Sequence, residues 1–519
     1  MRVIRALTPS LAAMLLAGCA LGEKIITPDK TLPTAFEAPQ SASVVPPAAL
    51  DDWWRLFDDP QLTSLIEQAL KAAPDARSAF YRLAEARADR DEIIGSFLPT
   101  GSLTASGADE YAVQKFSHIN AAALGIASTG TSSTGTVTTT GTGTTSGTGT
   151  GTTGASSGTS SLGEFFGTPN GSTQNYAAAF NVSWEIDLYG KDIAALKYAN
   201  ANFAAARFDY EATRMSLAAE VATDLFQARG LAVQLDDARE NEKLAKNLAD
   251  VARRKAEAGL ATTADSARTE SDAESGAAQS VQIEAQLKAA ERALLVLIGK
   301  GGAPSSDLVV ASSVAPPPDV PQATPGALLA RRPDVREAEQ NILSAAGQLR
   351  LDKLALFPTF TLTPGLSYSK QVQSLYTVAT RAATAGVGVN APVFSIPKLL
   401  QEVRAQGARG DQAVVAYEKA VQTAYGDAER ALTITEADGR RVKLLDSATK
   451  RSRFAFDAAS KGYDLGLTDL TSLIQAEQTW RQTRATYTSA EISALVDTVA
   501  TFKALGGGWD AETAQRKIK

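Results

Sequence analysis

The chain has one cysteine, Cys19, and one histidine, His118, in 519 residues. A lone cysteine cannot form an internal disulfide, and a zinc site built on cysteine or histidine lacks ligands. A serine triad needs a histidine base, and His118 stands beside a low-complexity stretch, where a loop residue is the simple reading. Aromatic residues make up only 7%, no basic cluster carries interleaved aromatics, and the net charge is -6, so nothing suggests a nucleic-acid surface. Beyond the first twenty residues no segment approaches the ~18 consecutive apolar residues of a transmembrane helix, so any further membrane span must be a β-barrel. Acidic residues are plentiful, yet no pair stands apart from a strand face or a helix surface, as a carboxylate hydrolase requires. Ile298-Gly299-Lys300-Gly301 looks superficially like a phosphate loop but lacks its spacing and the following Ser/Thr. These absences argue against an enzyme and against metals or other cofactors.

The N-terminus is informative. Arg2 and Arg5 precede a mostly apolar stretch from Ala6 to Leu16, the pattern of a secretory signal. Leu16-Ala17-Gly18-Cys19 resembles the bacterial lipobox, and the only cysteine falls where that motif requires it. The resemblance implies removal of residues 1–18 and covalent lipid on Cys19. An ordinary signal peptide with a stray cysteine is the alternative. Several acyl chains on one residue anchor far more firmly than one. Ala20 follows, rather than the aspartate that retains lipoproteins at the inner membrane, which favours the outer membrane.

The remainder is internally repeated. Ala73-Pro74-Asp75-Ala76-Arg77 answers Arg332-Pro333-Asp334-Val335-Arg336, and Pro99 answers Pro358, at one offset of 259 positions. Tyr210-Glu211 answers Tyr417-Glu418, Leu225 answers Leu432, and Gly259-Leu260 answers Gly466-Leu467, at a second offset of 207 positions. The difference requires an insertion of about 52 residues in the first copy, and residues 127–160 supply it, being almost only Gly, Ser and Thr. Such a tract cannot bury a core and reads as a flexible, solvent-facing loop.

Each copy reads as helix, two strands and two long helices. In the first, a helix begins near Leu62, another runs from about Asp75 to Ile94, and a strand follows with Leu103, Ala105, Tyr111 and Val113 in loose alternation. Residues 179–188 form the clearest strand: Phe180, Val182, Trp184, Ile186 and Leu188 share one face, and Asn181, Ser183, Glu185 and Asp187 the other. That pattern fits a sheet over a soluble core or a barrel wall between lipid and water. Nothing breaks a helix from Lys191 to about Ala256, roughly 100 Å at 1.5 Å per residue. Gly259 interrupts it, and a return helix spans about Asp265 to Ile298. The second copy has a helix over about 333–355, strands near 359–369 and 385–394, a long helix over about 398–461, a turn at Gly466 and a return helix over about 470–505. Four strands per chain cannot close a membrane barrel, since such barrels begin at about eight, so membrane-spanning strands require an oligomer.

The signature Asp51-Asp52-Trp53-Trp54-Arg55-Leu56-Phe57-Asp58-Asp59-Pro60-Gln61-Leu62 resembles the NodT-type lipoprotein branch of the TolC-like outer membrane factors of tripartite efflux systems. So do Phe97-Leu98-Pro99, Trp184-Glu185-Ile186-Asp187-Leu188-Tyr189-Gly190-Lys191, Arg331-Arg332-Pro333-Asp334-Val335 and Leu356-Phe357-Pro358. The motifs are specific as a set and weak singly. The resemblance implies an α+β membrane protein: a homotrimer whose twelve strands form one shared barrel, continued by a long α-helical tunnel into the periplasm. It implies a signal peptide at 1–18, a lipidated segment at 19–60, a first repeat at 61–300 with an external loop at about 113–175, a linker at 301–325, a second repeat at 326–505 and a tail at 506–519. The implied function is passive conduction across the outer membrane of a Gram-negative bacterium. The implied partners are outer-membrane lipid, a periplasmic adaptor and an inner-membrane efflux pump, with no nucleic acid. Gly259 and Gly466 then lie at the periplasmic tip. Tyr463 matches the family's tip tyrosine. Thr468 stands where an arginine is frequent, and Gln475 where a gate aspartate is frequent. Asp464 and Asp469 are the nearby acids able to supply a different ring. A non-conducting coiled-coil lipoprotein or surface adhesin is the rival reading, and it leaves four amphipathic strands unexplained.

Overall fold

The structure is a computed structural model that describes residues 33, 35–38, 50–112, 171–321, 324–373 and 376–509. Cys19, His118 and the tract at 127–160 lie outside them. The chain divides into two units: a sheet unit of residues 98–186 and 359–390, and a helical unit of the rest.

In the helical unit, a 3₁₀ turn at Trp53–Phe57 leads to α1, Pro60–Ala72, and α2, Pro74–Gly95. Asp59 caps α1 by accepting from the backbone N–H groups of Gln61 and Leu62, and Pro60 occupies the first helical turn, where a missing N–H costs nothing. The long helix α3, Lys191–Glu257, has 67 residues, and its return partner α4, Thr263–Leu297, has 35. After a short α5, Pro325–Arg331, come α6, Pro333–Leu354, the 69-residue α7, Ile396–Asp464, and α8, Leu470–Ala504, of 35 residues. α3 packs on α4 and α7 on α8, while α6 packs between α3 and α7. The buried positions of α3 are mostly alanine, which lets long helices approach closely.

Two large apolar clusters hold this unit, with a small alanine cluster of Ala245, Ala249 and Ala273 between α3 and α4. The larger joins Trp53 and Trp54, Leu62 and Ile66 of α1, Leu217 to Ala228 of α3, Leu294 and Leu295 of α4, and Val499 and Phe502 of α8. Trp53 is fully buried and stacks on Phe502, ring centroids 5.5 Å apart. The second large cluster sets Phe36 and Val335 against Tyr417 to Leu432 of α7. The family-like signature residues are structural anchors. Asp51 pairs with Arg331, and buried Arg229 of α3 reaches both Asp59 and Gln61.

The sheet unit is antiparallel, in the order β1-β2-β3-β4. The strands are β1, Thr100–Ala112, β2, Gly171–Ile186, β3, Thr359–Val372, and β4, Thr377–Asn390. Two strands differ from expectation. β2 begins at Gly171, not near residue 179, because backbone pairing to β1 and β3 holds a stretch too polar and small to read as strand. The expected loop at 113–175 therefore overlaps β2. β4 spans 377–390 rather than 385–394, and Pro392, with no backbone N–H, cannot donate to a ladder. Pro364 sits in the inner strand β3, and the β2–β3 ladder skips there: Asn181↔Gly365 is followed by Trp184↔Leu362.

Asp187 and Leu188 also leave the expected strand faces. β2 ends at Ile186, and the Asp187 carboxylate turns back as a cap, accepting from the N–H groups of Tyr189 (3.1 Å), Gly190 (2.7 Å), Lys191 (2.9 Å) and Asp192 (3.0 Å). Burial opposes its ionisation, but these four donors overcome that and hold the carboxyl below its ordinary range. Gly190 takes φ 79°, which a side chain disfavours, and Tyr189 stacks on Phe357 at 5.0 Å.

Candidate functional site

Two places carry chemistry, one in each unit. The first is the sheet, whose strand registry sorts its residues onto two faces. One face carries Leu103, Phe180, Leu366 and Ala383 in a row across all four strands. Trp184, Leu362 and Val387 form a second row, and Ile186, Phe360 and Val389 a third. Most of these side chains are uncovered, with Leu103 76% exposed, Leu366 60% and Val387 75%, while Ile186, Phe360 and Leu362 are half-buried. An apolar sheet face left so open needs a non-aqueous neighbour. From Tyr176 to Ile186 the strand rises about 33 Å at ~3.3 Å per residue, or about 25 Å of height at a ~40° tilt, which equals the apolar band of outer-membrane barrels. Tyr176 and Tyr368 lie at one end of that band and Trp184 and Phe360 at the other, as aromatic girdles do.

The opposite face is small and polar: Ser102, Thr104, Asn175, Asn181, Ser183, Thr361, Thr363, Ser367, Thr380 and Thr384 among others. Its charged strand residues are Glu110 and Glu185, with no base among the described residues. β1 and β4 each have only one partner strand, so both sheet edges present unpaired backbone groups.

The second place is the pair of helix turns that the sequence marks with glycines. Gly259 has φ 72° and Gly466 φ 73°, the left-handed conformation that ends a helix without side-chain clash. Both turns have the same hydrogen bonds. Leu260 N–H donates to Lys255 O (2.8 Å) and Gly259 N–H to Ala256 O (3.0 Å); Leu467 N–H donates to Gly462 O (2.7 Å) and Gly466 N–H to Tyr463 O (3.0 Å). That is the Schellman closure. The return helices start on side-chain caps: Thr262 and Asp265 form a reciprocal capping box on α4, and Asp469 accepts from Ser472 N–H at 2.8 Å on α8. The side-chain and backbone hydrogen bonds from Ser472 hold the Asp469 carboxyl below its ordinary range.

The structure joins the two turns through a residue that the sequence reading did not single out. Lys255 donates from Nζ to the Tyr463 hydroxyl at 2.9 Å, and the same ammonium sits 4.2 Å from the Tyr463 ring centroid. The only available signal was position: Lys255 and Tyr463 are 208 residues apart, one more than the offset between the two glycines. Thr468 folds back over Gly462, where a Cβ would collide with its hydroxyl. Asp464 ends α7, and its side chain lies outside the described residues. Gln475 is exposed on α8, six residues past Asp469, and its carbonyl accepts from Thr479. The expected tip residues therefore share one region, with Gln475 set apart along the helix.

No helix is long and apolar enough to cross a membrane, and no cluster of metal-ligating side chains occurs, both among the described residues.

Known proteins share this sequence and fold. The sequence profile of the outer membrane efflux protein family matches residues 65–300 and 324–507. The pyoverdine export outer membrane protein OpmQ of Pseudomonas aeruginosa is 26% identical over 463 residues, covering 89% of this chain and 88% of that protein. The probable outer membrane lipoprotein SilC of Salmonella typhimurium is 24% identical over 499 residues, covering 95% and 97%. The crystal structure of the CmeC outer membrane channel of Campylobacter jejuni superposes with a TM-score of 0.73 at 19% identity, over 95% of this chain and 98% of that one. The fold is that of the TolC-like outer-membrane channels.

Proposed function

The chain belongs to the outer membrane efflux protein family, and from that premise we propose how its own residues build an exit duct. The observation that carries the reading is the two-faced, open-edged sheet. Four strands are too few to close, and each apolar face is uncovered. Three chains supply twelve strands, with β4 of one protomer pairing to β1 of the next. Closure satisfies every edge and turns the apolar faces to lipid. The Thr, Ser and Asn face then lines a water-filled lumen whose fixed charges, Glu110 and Glu185, are all negative.

The duct does no chemistry. Cargo expelled by an inner-membrane pump passes through a periplasmic adaptor and then through the lumen, and the pump supplies the energy. Lipid on Cys19 ties each protomer to the membrane by a second route besides its barrel strands. The helix turns at Gly259 and Gly466 form the periplasmic tip. Closure relies on packing and hydrogen bonds there, with the Lys255–Tyr463 contact holding the two hairpins together. Asp464, Thr468 and Asp469 lie at the same constriction, with Gln475 further along α8 beside it. Opening separates the hairpins, a switch between two packings.

The test is cellular. Deleting the gene in a strain with an intact pump and adaptor raises accumulation of the pump's cargo, and the wild-type gene restores efflux. Unchanged accumulation across known pump substrates contradicts the proposal. For the tip, Asp469→Ala and Gln475→Ala are read by single-channel conductance, and no change in either removes them from the constriction.

A further inference from the structure

The charges on the apolar sheet face are unevenly placed. Its two strand cations, Lys370 and Arg381, both lie toward the β3–β4 turn. Pairing sets Arg381 opposite Tyr368 and Lys370 opposite Ala379, so the two cations are diagonal neighbours on one face. Both are exposed, and neither makes an ion pair among the described residues. The Arg381 guanidinium lies 5.9 Å from the Tyr368 ring centroid, held up at the edge of the apolar band. The single acid on this face is Asp109, on β1 at the same end; it is two strands from β3 within one chain, and in the closed trimer the next protomer's β1 brings one such acid beside β4, leaving the cations in excess.

The other end of the same face has no charge: Trp184, Ile186, Phe360 and Val389 occupy it. Ordinary snorkelling of basic side chains serves both ends of a membrane strand equally. Cations confined to one end instead match one leaflet with a strongly anionic headgroup layer. That end is opposite the one where the chain enters β1 at Thr100 and leaves β2 at Ile186. On the channel reading above, on which this inference rests, it faces the outer leaflet.

A shallow depression of about 600 Å³ on this face is lined by Leu103, Ala178, Phe180, Leu366, Ala383, Tyr368 and Arg381, and Lys370 is the diagonal neighbour of Arg381 just beyond it. Apolar floor and cationic border together fit an acyl chain below a phosphate. We propose that Lys370, Arg381 and this depression form a binding site for a phosphorylated, acylated glycolipid of the outer leaflet. The guanidinium and ammonium take the phosphate, and one acyl chain lies over Phe180 and Leu366. The site gives the barrel a leaflet-specific anchor at its outer rim.

Native mass spectrometry of the full-length trimer in detergent tests this, with bisphosphorylated lipid A as the probe. The wild type is expected to retain lipid A, and enzymatic removal of its phosphates to weaken binding at least tenfold. Lys370→Gln and Arg381→Gln are each expected to cost about fivefold, and both together about 25-fold, since each cation contributes comparably at an anionic surface. Arg381→Lys should retain most binding. Inorganic phosphate should not displace the lipid, because the acyl chain supplies the rest of the contact. Equal retention by the double variant, equal binding of dephosphorylated lipid or of phosphatidylglycerol, or displacement by inorganic phosphate each overturns the site. Bilayer conductance of the same samples separates the two readings. A double variant that conducts and binds lipid A like the wild type sinks only the lipid site; a wild type that never conducts sinks both.

Discussion

Lys255 and Tyr463 offer the sharpest perturbation of the proposed tip. Two interactions converge on one ammonium: a hydrogen bond of 2.9 Å to the phenol oxygen and a ring contact of 4.2 Å. Both side chains are half-buried, so the contact is weaker than in a dry core. A hydrogen bond to a charged donor contributes about 1 kcal/mol at such a site, and the ring contact about 0.5–1 kcal/mol. Tyr463→Phe deletes only the first, Tyr463→Leu deletes both, and Lys255→Ala deletes both from the other side. If the contact exists only in the closed tip, its loss raises the open-to-closed ratio by about 5-fold for Tyr463→Phe and about 10- to 30-fold for the other two. Single-channel recording in planar bilayers reads that ratio directly. The double variant Lys255→Ala/Tyr463→Leu should open no further than either single variant, because the shared contact can be lost once. Additive effects, or equal open fractions in the wild type and all four variants, refute the reasoning.

Other positions give independent outcomes. Asp438 of α7 is buried, and its Oδ2 has no donor; burial and the facing Asp497 of α8 push it up to about 6 from 3.8, with Arg441 opposing. A carboxyl raised in the fold stabilises fully below the unfolded pKa, and that stability is lost as pH rises through about 6. Asp438→Asn should therefore stabilise by roughly 1–3 kcal/mol at pH 8 and not at pH 4, measured by thermal unfolding; an equal effect at both pH values contradicts the pairing. Arg229→Met leaves half-buried Asp59 without its cation and should cost about 3 kcal/mol in denaturant unfolding, whereas a loss below ~1 kcal/mol would show the pair to be dispensable. Gly466→Val forces a β-branched residue to φ 73° and should cost at least ~1–2 kcal/mol, seen as faster amide exchange around the α7–α8 turn, with Gly466→Asn much milder.

Much of this architecture is legible from sequence because its signals are long. Helices of 67 and 69 residues contain no proline beyond the first turn, and their ends carry glycines that the backbone needs at positive φ. The strand ends were harder. Gly171 to Ala178 and Thr377 to Thr384 alternate weakly, and only pairing with neighbours makes them strand. Asp187 read as part of the polar strand face because its parity fits β2, and four N–H donors at the helix start reclaim it. At the proposed tip, the two glycines follow from the repeat spacing, and Tyr463 and Asp469 are pointed to by the family resemblance and by their nearness to Gly466. Lys255 could not be placed, because a lysine in the last turn of a helix is ordinary until a partner from a distant turn appears above it.

Reconstituted into a planar bilayer, the purified full-length protein tests the central claim most directly. The account predicts discrete conductance steps, one for each three chains inserted, with cations preferred over anions because Glu110 and Glu185 are the charges on the polar sheet face. Bilayers that stay silent with inserted trimer, or a lumen that prefers anions, would contradict it.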